Sequence, residues 1–376
     1  MSGASRPQLE ARLQALSKRM ATVGVEILVV TNPPNIFYLT NLRASAAVLI
    51  IGDNVRILIT DFRYLTVARI AVAGDLSPTD LEVVPVAGSY DETILGVFTR
   101  LGVARVGIEA EHLSVRRWQW LAGRLDEKFI QLVPTDGIVE GVRERKDAYE
   151  IEQLQTASLL LSRVASDVYK LVRAGSSERE IATEIDRMLY RIGLERPAFE
   201  TIVASGENSA LPHARPSDRR LSSGDLVVLD FGGIYNGYCG DLTRTVFVGE
   251  VTERAFGLHR AVSEAHSAAV SVVRPGIKAS SVDGAAREVL SRHGFSDMFG
   301  HSTGHGLGIE VHERPRIGQR VNNDTVDAEL DTGMVFTIEP GVYVPGYGGV
   351  RIEDDVMVTE EGCEILTNVP RALALF

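Results

Sequence analysis

The sequence predicts an α+β protein in two parts: a small N-terminal α/β domain over residues 1–135 and a larger domain over 147–376, joined by a linker at 136–146. Three observations carry this. A chain of 376 residues exceeds what one ordinary hydrophobic core fills, because single cores stop growing at roughly 250–300 residues. Six short β-type runs alternate with helical patterns up to Pro134. Beyond the charged stretch "GIVEGVRERKDAYEIEQLQ" the chain then states the same pattern twice: long helix, short helix, hairpin.

In the first domain, "RPQLEARLQALSKRM" has the spacing of a charged amphipathic helix. The β-type runs are EILVV, AAVLII, VRILIT, LEVVPV, RVGIEA and FIQLVP, and Asp53-Asn54 between two of them is expected to turn a hairpin. Helical patterns among such runs mark an α/β layer arrangement.

In the second domain, Asp147 with Glu150 has the capping-box pattern of a long helix running to Gly175. Ser177 with Glu180 opens a shorter one ending at Gly193. A hairpin follows, "LVVLDFGGIYNGYCGDLTRTVFVG", turned at Asn236-Gly237. Thr252 opens the next long helix, stopped by Pro275-Gly276, and Ser280 with Asp283 opens a short one ending near Gly294. The last hairpin is "MVFTIEPGVYVPGYGGVRIEDDVMVT". The spacing from Asp147 to Asp230 resembles that from Thr252 to Glu339, which implies an internal duplication with a pseudo-twofold.

Composition excludes several classes. A formal charge of −11 opposes phosphate, so no nucleic-acid partner is expected. The N-terminus lacks the apolar core of a signal peptide. The longest apolar stretch near it, Ala46–Ile51, is far short of the ~20 residues that span a bilayer, so no membrane association is expected. The two cysteines, Cys239 and Cys363, are too few for a disulfide framework and are expected to be small buried side chains in a reducing cytoplasm.

The hairpins carry the chemistry. With Asn236-Gly237 as the turn, Asp230 lies opposite Thr243 and Asp241 falls on the same face, a diagonal pair roughly 7–8 Å apart. Two bare carboxylates there would force one to protonate, and a cation is the simpler remedy. Glu339 and Glu353 occupy opposite arms of the last hairpin, and their even position sum puts them on one face only across an odd-length turn or a bulge, which Pro340 and the glycine-rich "PGYGG" can supply. Four carboxylates balance two divalent ions, and one imidazole completes an oxygen-rich site. In "GHSTGHGLGIEVHE", His301 and His305 have helical i, i+4 spacing, but Gly300, Gly304, Gly306 and Gly308 argue against a helix, so one ligand from an irregular strand is expected. Arg351, two residues before Glu353, shares its face and is placed to pair with an acidic ligand or a substrate carboxylate.

Together "LDFGGIYNGYCGDLTRT", "GHSTGHGLGIEVHE", "TIEPGVY", "GGVRIEDD" and "NSALPHARP" resemble the pita-bread metallopeptidases, most closely the proline-specific branch of Xaa-Pro dipeptidase (prolidase) and aminopeptidase P. The resemblance implies a creatinase-type N-terminal domain and a pita-bread catalytic domain. It assigns Asp230, Asp241, His305, Glu339 and Glu353 to two divalent ions, with Asp241 and Glu353 bridging and His305 on one ion. Manganese is expected, with cobalt, zinc or iron as alternatives. His312 would bond the substrate carbonyl or its oxyanion, His213 would approach the scissile amide, and His301 would line the proline pocket. A water between two ions loses its proton near neutral pH, and Glu339 is the expected acceptor. The substrate implied is a small proline-containing peptide, and the assembly a homodimer.

Xaa-Pro bonds pose a physical problem, since they lack an amide N–H and have a ring-locked φ. A cavity shaped for the ring solves it. Methionine aminopeptidases share the ligand order but usually lack a large preceding domain, and creatinase lacks the ligands. Two readings stay open beside the dipeptidase: aminopeptidase P acting on longer peptides, and a non-catalytic peptide-binding module.

Overall fold

A computed structural model of the chain describes residues 3–320 and 327–372. The outer ends of the two expected domains, residues 1–2 and 373–376, lie outside the described residues. The chain divides into two units, Met1–Arg143 and Glu144–Phe376.

The first unit runs α1 (Arg6–Val23), β1 (Ile27–Val30), α2 (Pro33–Thr40), β2 (Ala47–Gly52), β3 (Val55–Thr60), α3 (Phe62–Ala73), β4 (Glu82–Pro85), α4 (Tyr90–Leu101), β5 (Arg105–Glu109), α5 (Val115–Leu125), β6 (Gln131–Thr135) and α6 (Glu140–Arg143). Each β-type run of the sequence is a strand of one mixed sheet, in the order β4-β3-β2-β1-β5-β6. Gly52 pairs with Val55, so Asp53-Asn54 is the expected two-residue turn. On α4, Ile94, Val97 and Phe98 share a face by helical spacing and pack on alternate strand residues, among them Ile27, Val29, Ile57 and Ile59. α1 buries Leu9, Leu13, Leu16 and Met20 in the same way. The stretch read as a linker contains α6, whose Arg143 is buried and donates to Asn35.

The second unit runs α7 (Ala148–Val168), α8 (Glu178–Ile192), β7 (Ile202–Ser205), β8 (Leu226–Tyr235), β9 (Tyr238–Phe247), α9 (Glu253–Val272), α10 (Ala279–Arg292), β10 (Gly304–Gly306), β11 (Glu313–Ile317), β12 (Val335–Ile338), β13 (Gly341–Val344), β14 (Gly348–Arg351), β15 (Asp354–Val358) and β16 (Cys363–Ile365). Each half therefore sets two helices before a short strand that lies antiparallel to the first arm of a hairpin, β7 on β8 and β10 on β12.

Residue parity decides what faces where. Val227, Leu229 and Phe231 of β8 and Leu242 and Val246 of β9 bury against α7 and α8. Phe336, Ile338, Val342, Val350 and Ile352 bury against α9 and α10. The residues between them, Asp230, Asp241, Thr243, Glu339, Tyr343, Arg351 and Glu353, fall on the other face by the period of two. A one-residue slip would drive charged groups into those cores, at several kcal/mol each, so register is strongly specified.

Several expectations need correction. The helix opened by Asp147 ends at Val168 rather than at Gly175, and a 3₁₀ turn, Tyr169–Leu171, follows. Gly175 instead donates its N–H to Leu221 O, joining a different segment. Ser280 and Asp283 do not cap α10, which begins at Ala279 after Lys278. Ser280 N–H and hydroxyl are taken by the Asp327 carboxylate, and Asp283 is engaged by Thr303 and Arg287. The cap comes from a distant segment, which local sequence does not reveal. Of the cysteines, Cys239 is buried but Cys363 is only half-buried.

Candidate metal centre

One cavity of about 670 Å³ in the second unit is lined by all the residues singled out from the sequence: Asp230, Asp241, His305, Glu339, Glu353, His213, His301, His312 and Arg351. Asp230, Asp241 and Glu353 are buried at its floor, Glu339 and His305 are half-buried, and His213 and His312 are exposed.

The two hairpins bring in the acids by different means. Asn236 and Gly237 adopt φ of 47° and 84°, the left-handed pair that a type I′ turn requires. The ladder then places Asp230 opposite Thr243 and Asp241 opposite Gly232, the register expected from the sequence. In the second hairpin Val344 pairs with Gly348 across a three-residue turn, Pro345-Gly346-Tyr347, and Ile338 pairs with Asp354 further down. The odd turn length supplies the parity, and Glu339 and Glu353 fall directly opposite each other in a gap between two ladders. There, Glu339 N–H donates to Thr303 O (2.7 Å) and Glu353 N–H to Thr243 O (3.1 Å).

His305 sits on β10 between β11 and β12. Its neighbouring glycines are forced by close approach: a Cβ at Gly304 would lie 1.8 Å from Thr337 O, and one at Gly306 would lie 2.2 Å from Arg314 O. The register slips between His305 and Gly306, so the expected irregular strand is present. Nδ1 of His305 lies 3.1 Å from Gly306 O. Donating there leaves Nε2 unprotonated toward the acids, 3.6 Å from Glu339 Oε1 and 3.9 Å from Asp241 Oδ2. One potential ligand atom from each of Asp241, His305 and Glu353 lies within 4.8 Å of the others. His312 stacks edge-on against His305, with ring centroids 4.3 Å apart.

Asp230 differs from the other acids because Arg351 Nη2 pairs with its Oδ2. Arg351 also donates to Tyr343 OH (2.8 Å), Thr243 Oγ1 (3.3 Å) and Pro212 O (3.3 Å). Tyr343 OH in turn lies 2.9 Å from His301 Nε2, while His301 Nδ1 lies 2.8 Å from Ser302 O. A consistent assignment has His301 donate from Nδ1 and accept at Nε2, so Arg351, Tyr343 and His301 form one oriented chain. The structure thus pairs Arg351 with an acid of the cavity, Asp230.

The electrostatics call for cations. Burial, then the nearby Asp230 and Asp355, holds the Asp241 carboxyl well above its ordinary range. Burial and Asp241 do the same to Glu353, and burial pushes Glu339 up to about 8. Burial also lowers His305 and His301 to about 4, keeping both imidazoles neutral. Asp230 Oδ1 and Asp241 Oδ1 are buried without a hydrogen-bond partner. Orphaned carboxylate oxygens, crowded acids and a neutral imidazole fit divalent metal ions, whose charge replaces the protons.

Sequence reasoning missed Tyr343, Thr243 and Asp355. Thr243 hydrogen-bonds Glu353 Oε2 at 2.5 Å, and its place opposite Asp230 was already implied by the Asn236-Gly237 turn. Tyr343 lies four residues beyond Glu339, on the same face by parity. Asp355 accepts the Asp241 N–H (3.1 Å) and the Ser158 hydroxyl (2.7 Å), a contact between distant segments that carries no local signal.

Comparison with known proteins agrees with this geometry. Residues 152–360 match the model of metallopeptidase family M24, and residues 12–145 match the creatinase/prolidase N-terminal domain. The Xaa-Pro dipeptidase of Pyrococcus furiosus is 34% identical over 367 residues, covering 97% of this chain and 100% of that protein. Among solved structures, an Xaa-Pro dipeptidase from Bacillus anthracis superposes with a TM-score of 0.91 at 33% identity, covering 98% of this chain and 100% of that one. An X-Pro aminopeptidase from Thermotoga maritima gives a TM-score of 0.85 at 34% identity, covering 96% and 100%. With its acids, imidazole and two-part architecture accounted for, this chain belongs to metallopeptidase family M24, a pita-bread peptidase behind a creatinase/prolidase-type N-terminal domain.

Proposed function

We propose that the chain hydrolyses the Xaa-Pro bond of dipeptides, using two divalent ions held by Asp230, Asp241, His305, Glu339 and Glu353, with manganese as the expected metal. The observation that carries the reading is the convergence of Asp241, His305 and Glu353 ligand atoms within 4.8 Å on the floor of a cavity that also exposes His213 and His312. When bound, the ions supply Lewis-acid polarisation of the scissile carbonyl and acidify a water molecule.

The remaining steps belong to side chains of this protein. Glu339, whose carboxylate lines the cavity, is placed to take a proton and return it to the leaving nitrogen. His312, at the rim beside His305, supplies a donor for the carbonyl oxygen as it gains charge. His213 approaches the scissile amide from the opposite loop. His301, with both ring nitrogens engaged, contributes a rigid wall for the proline ring rather than a mobile proton donor.

The dipeptide preference is supported by two guanidinium groups that line the cavity, Arg215 and Arg316. Arg316 lies across from His305 in the β10–β11 ladder, and Ser302 Oγ holds its Nε at 2.7 Å. A free proline carboxylate within reach of such groups gains charge-assisted hydrogen bonds that an internal peptide bond lacks. Among the described residues no helix is long and apolar enough to cross a membrane; cytoplasmic location and a homodimer complete the reading.

The test is direct. The manganese-loaded chain is assayed on Ala-Pro and on Ala-Pro-Ala, with metal content measured. Faster cleavage of the dipeptide supports the proposal. Faster cleavage of the tripeptide assigns aminopeptidase P, and two bound ions with no hydrolysis of either assigns a binding module.

A further inference from the structure

The metal centre lies on a seam. β9, which carries Asp241, belongs to the three-stranded sheet β7-β8-β9, whereas the residues around Glu353 belong to β14 and β15 in other sheets. Among the described residues no ladder joins β9 to either strand. Two ligands on unjoined sheets have no backbone repeat to fix their separation, and a dinuclear site tolerates little variation in it.

A single backbone hydrogen bond, Glu353 N–H to Thr243 O (3.1 Å), crosses the seam, and side chains supply the other bridges. Arg351 N–H donates to Thr245 Oγ1 (3.0 Å), and that hydroxyl donates to Arg351 O (2.9 Å). Arg244 makes the most extensive bridge, with a side chain only 4% exposed. Its Nη1 donates to Thr243 O (2.9 Å) and to Glu353 O, its Nη2 to Asp354 Oδ1 (2.6 Å) and Val369 O (2.7 Å), and its Nε to Pro370 O (3.2 Å). Each of the five N–H groups of a guanidinium has an acceptor here. They come from the backbone of Thr243 near Asp241, the backbone of Glu353 itself, the Asp354 carboxylate and the segment at 366–371.

That last segment is itself anchored. Thr367 Oγ1 donates to Asp354 Oδ1 (2.6 Å), Asn368 N–H to Ser162 Oγ (2.9 Å) and Leu366 N–H to Asp355 O (2.8 Å). Arg371 Nη1 lies 2.7 Å from His266 Nδ1, whose Nε2 lies 3.1 Å from Asp354 Oδ2. Arg244 is thus gripped from behind while it holds the two ligand-bearing strands in front.

We propose that Arg244 is a positioning residue which sets the separation of Asp241 and Glu353, and that residues 366–371 serve the metal centre by fixing Arg244. The inference rests on the metal-ion reading above. A lysine keeps the charge but gathers its donors on one nitrogen, and it cannot reach acceptors spread around a planar fork.

The experiment compares the unaltered full chain with R244K, T367V and L189A, the last truncating a buried apolar side chain of α8. Manganese affinity is measured by calorimetry on metal-free protein, together with metal-free Tm. R244K is expected to weaken manganese binding by about 10–100-fold, as losses behind metal ligands do. T367V is expected to weaken it by about 2–5-fold, consistent with one lost hydrogen bond. L189A is expected to lower Tm with manganese affinity unchanged. R244K that binds manganese as tightly as the unaltered chain overturns the proposal. Should R244K fail to fold, T367V decides, and an unchanged affinity there overturns it equally. An unaltered chain that binds no manganese overturns the metal-ion reading as well, which separates the two failures.

Discussion

The two hairpins of the second unit perform the same task with opposite construction. β8 and β9 form an unbroken ladder from Leu226–Phe247 to Tyr235–Tyr238, closed by a two-residue turn. The later pair is interrupted where its acids sit, and the freed N–H groups of Glu339 and Glu353 bond to Thr303 and Thr243 on other segments. A continuous ladder offers rigid diagonal acids at little cost in backbone satisfaction. An interrupted one places its acids face to face, and depends on neighbours to satisfy the backbone. The first arrangement is local and the second is tertiary, so they should respond differently to perturbation.

The sharpest break is in ladder parity. Deleting Val350, between the three-residue turn and Glu353, shifts Glu353 by one position against the opposite arm, so Glu339 and Glu353 move to opposite faces. Metal binding and hydrolysis should both be lost, with activity down by at least about a thousand-fold if the ions supply the nucleophile and the Lewis acid. A deletion variant with full manganese content would show that the ladder positions do not govern the ligands.

Next comes Glu339→Gln, which removes the proton acceptor while keeping shape. A fall in kcat of about 10²–10⁴-fold is expected for a general acid–base group. Metal content must be determined on the same sample, and kcat within about twofold at full occupancy would remove Glu339 from that role. Arg316→Met is expected to raise KM for Ala-Pro by roughly tenfold or more, the loss of a hydrogen bond to a charged group. KM for Ala-Pro-Ala should move less, and equal changes for both would strip Arg316 of carboxylate recognition.

The pH dependence has a definite sign. Glu339 titrates at about 8 in the metal-free fold and near the ordinary carboxylate value of ~4.3 when unfolded. The folded chain therefore binds more protons across that interval, and its metal-free stability should fall as pH rises from 6.5 toward 8. His301 and His305, lowered to about 4, act in the opposite sense below pH ~6.5, where only the unfolded imidazoles are protonated. Manganese affinity should increase over pH 6.5–8, because ions compete with the Glu339 proton. Thermal denaturation with and without manganese checks both trends, and a metal-free Tm that climbs over this window contradicts them.

The smallest effect belongs to the regular hairpin. Gly237→Ala forces a side chain into φ of 84°, at about 1–2 kcal/mol. Stability should fall while kcat stays unchanged, since the remaining ladder keeps the register. A large loss of kcat there would mean that the first hairpin is no more robust than the second.

Much of this was legible in the residues. Period-two alternation, the Asn236-Gly237 turn and the capping patterns at Asp147 and Ser177 are local signals, because neighbouring side chains and backbone dihedrals interact directly along the chain. They placed the six strands of the first unit, the two hairpins of the second, the register of the first hairpin and the shared face of Asp230 and Asp241. The odd turn behind Glu339 and Glu353 was readable as a requirement, with Pro340 and PGYGG as the stretches able to meet it, and the fold settles on Pro345-Gly346-Tyr347. The glycines around His305 signalled a strand only by excluding a helix, and their cause is the carbonyls of Thr337 and Arg314 lying where side chains would stand.

The sequence by itself determined which residues carry charge, which face of each strand they occupy and the order in which they reach the site. Tertiary structure alone decided that Asp327 caps α10, that Tyr343 links Arg351 to His301, and that Arg244 bridges the seam between sheets. The physical reason is range. Propensity and periodicity act over a few residues, whereas a hydrogen bond between Arg244 and Val369 spans 125 positions and exists only after the cores on both sides have packed.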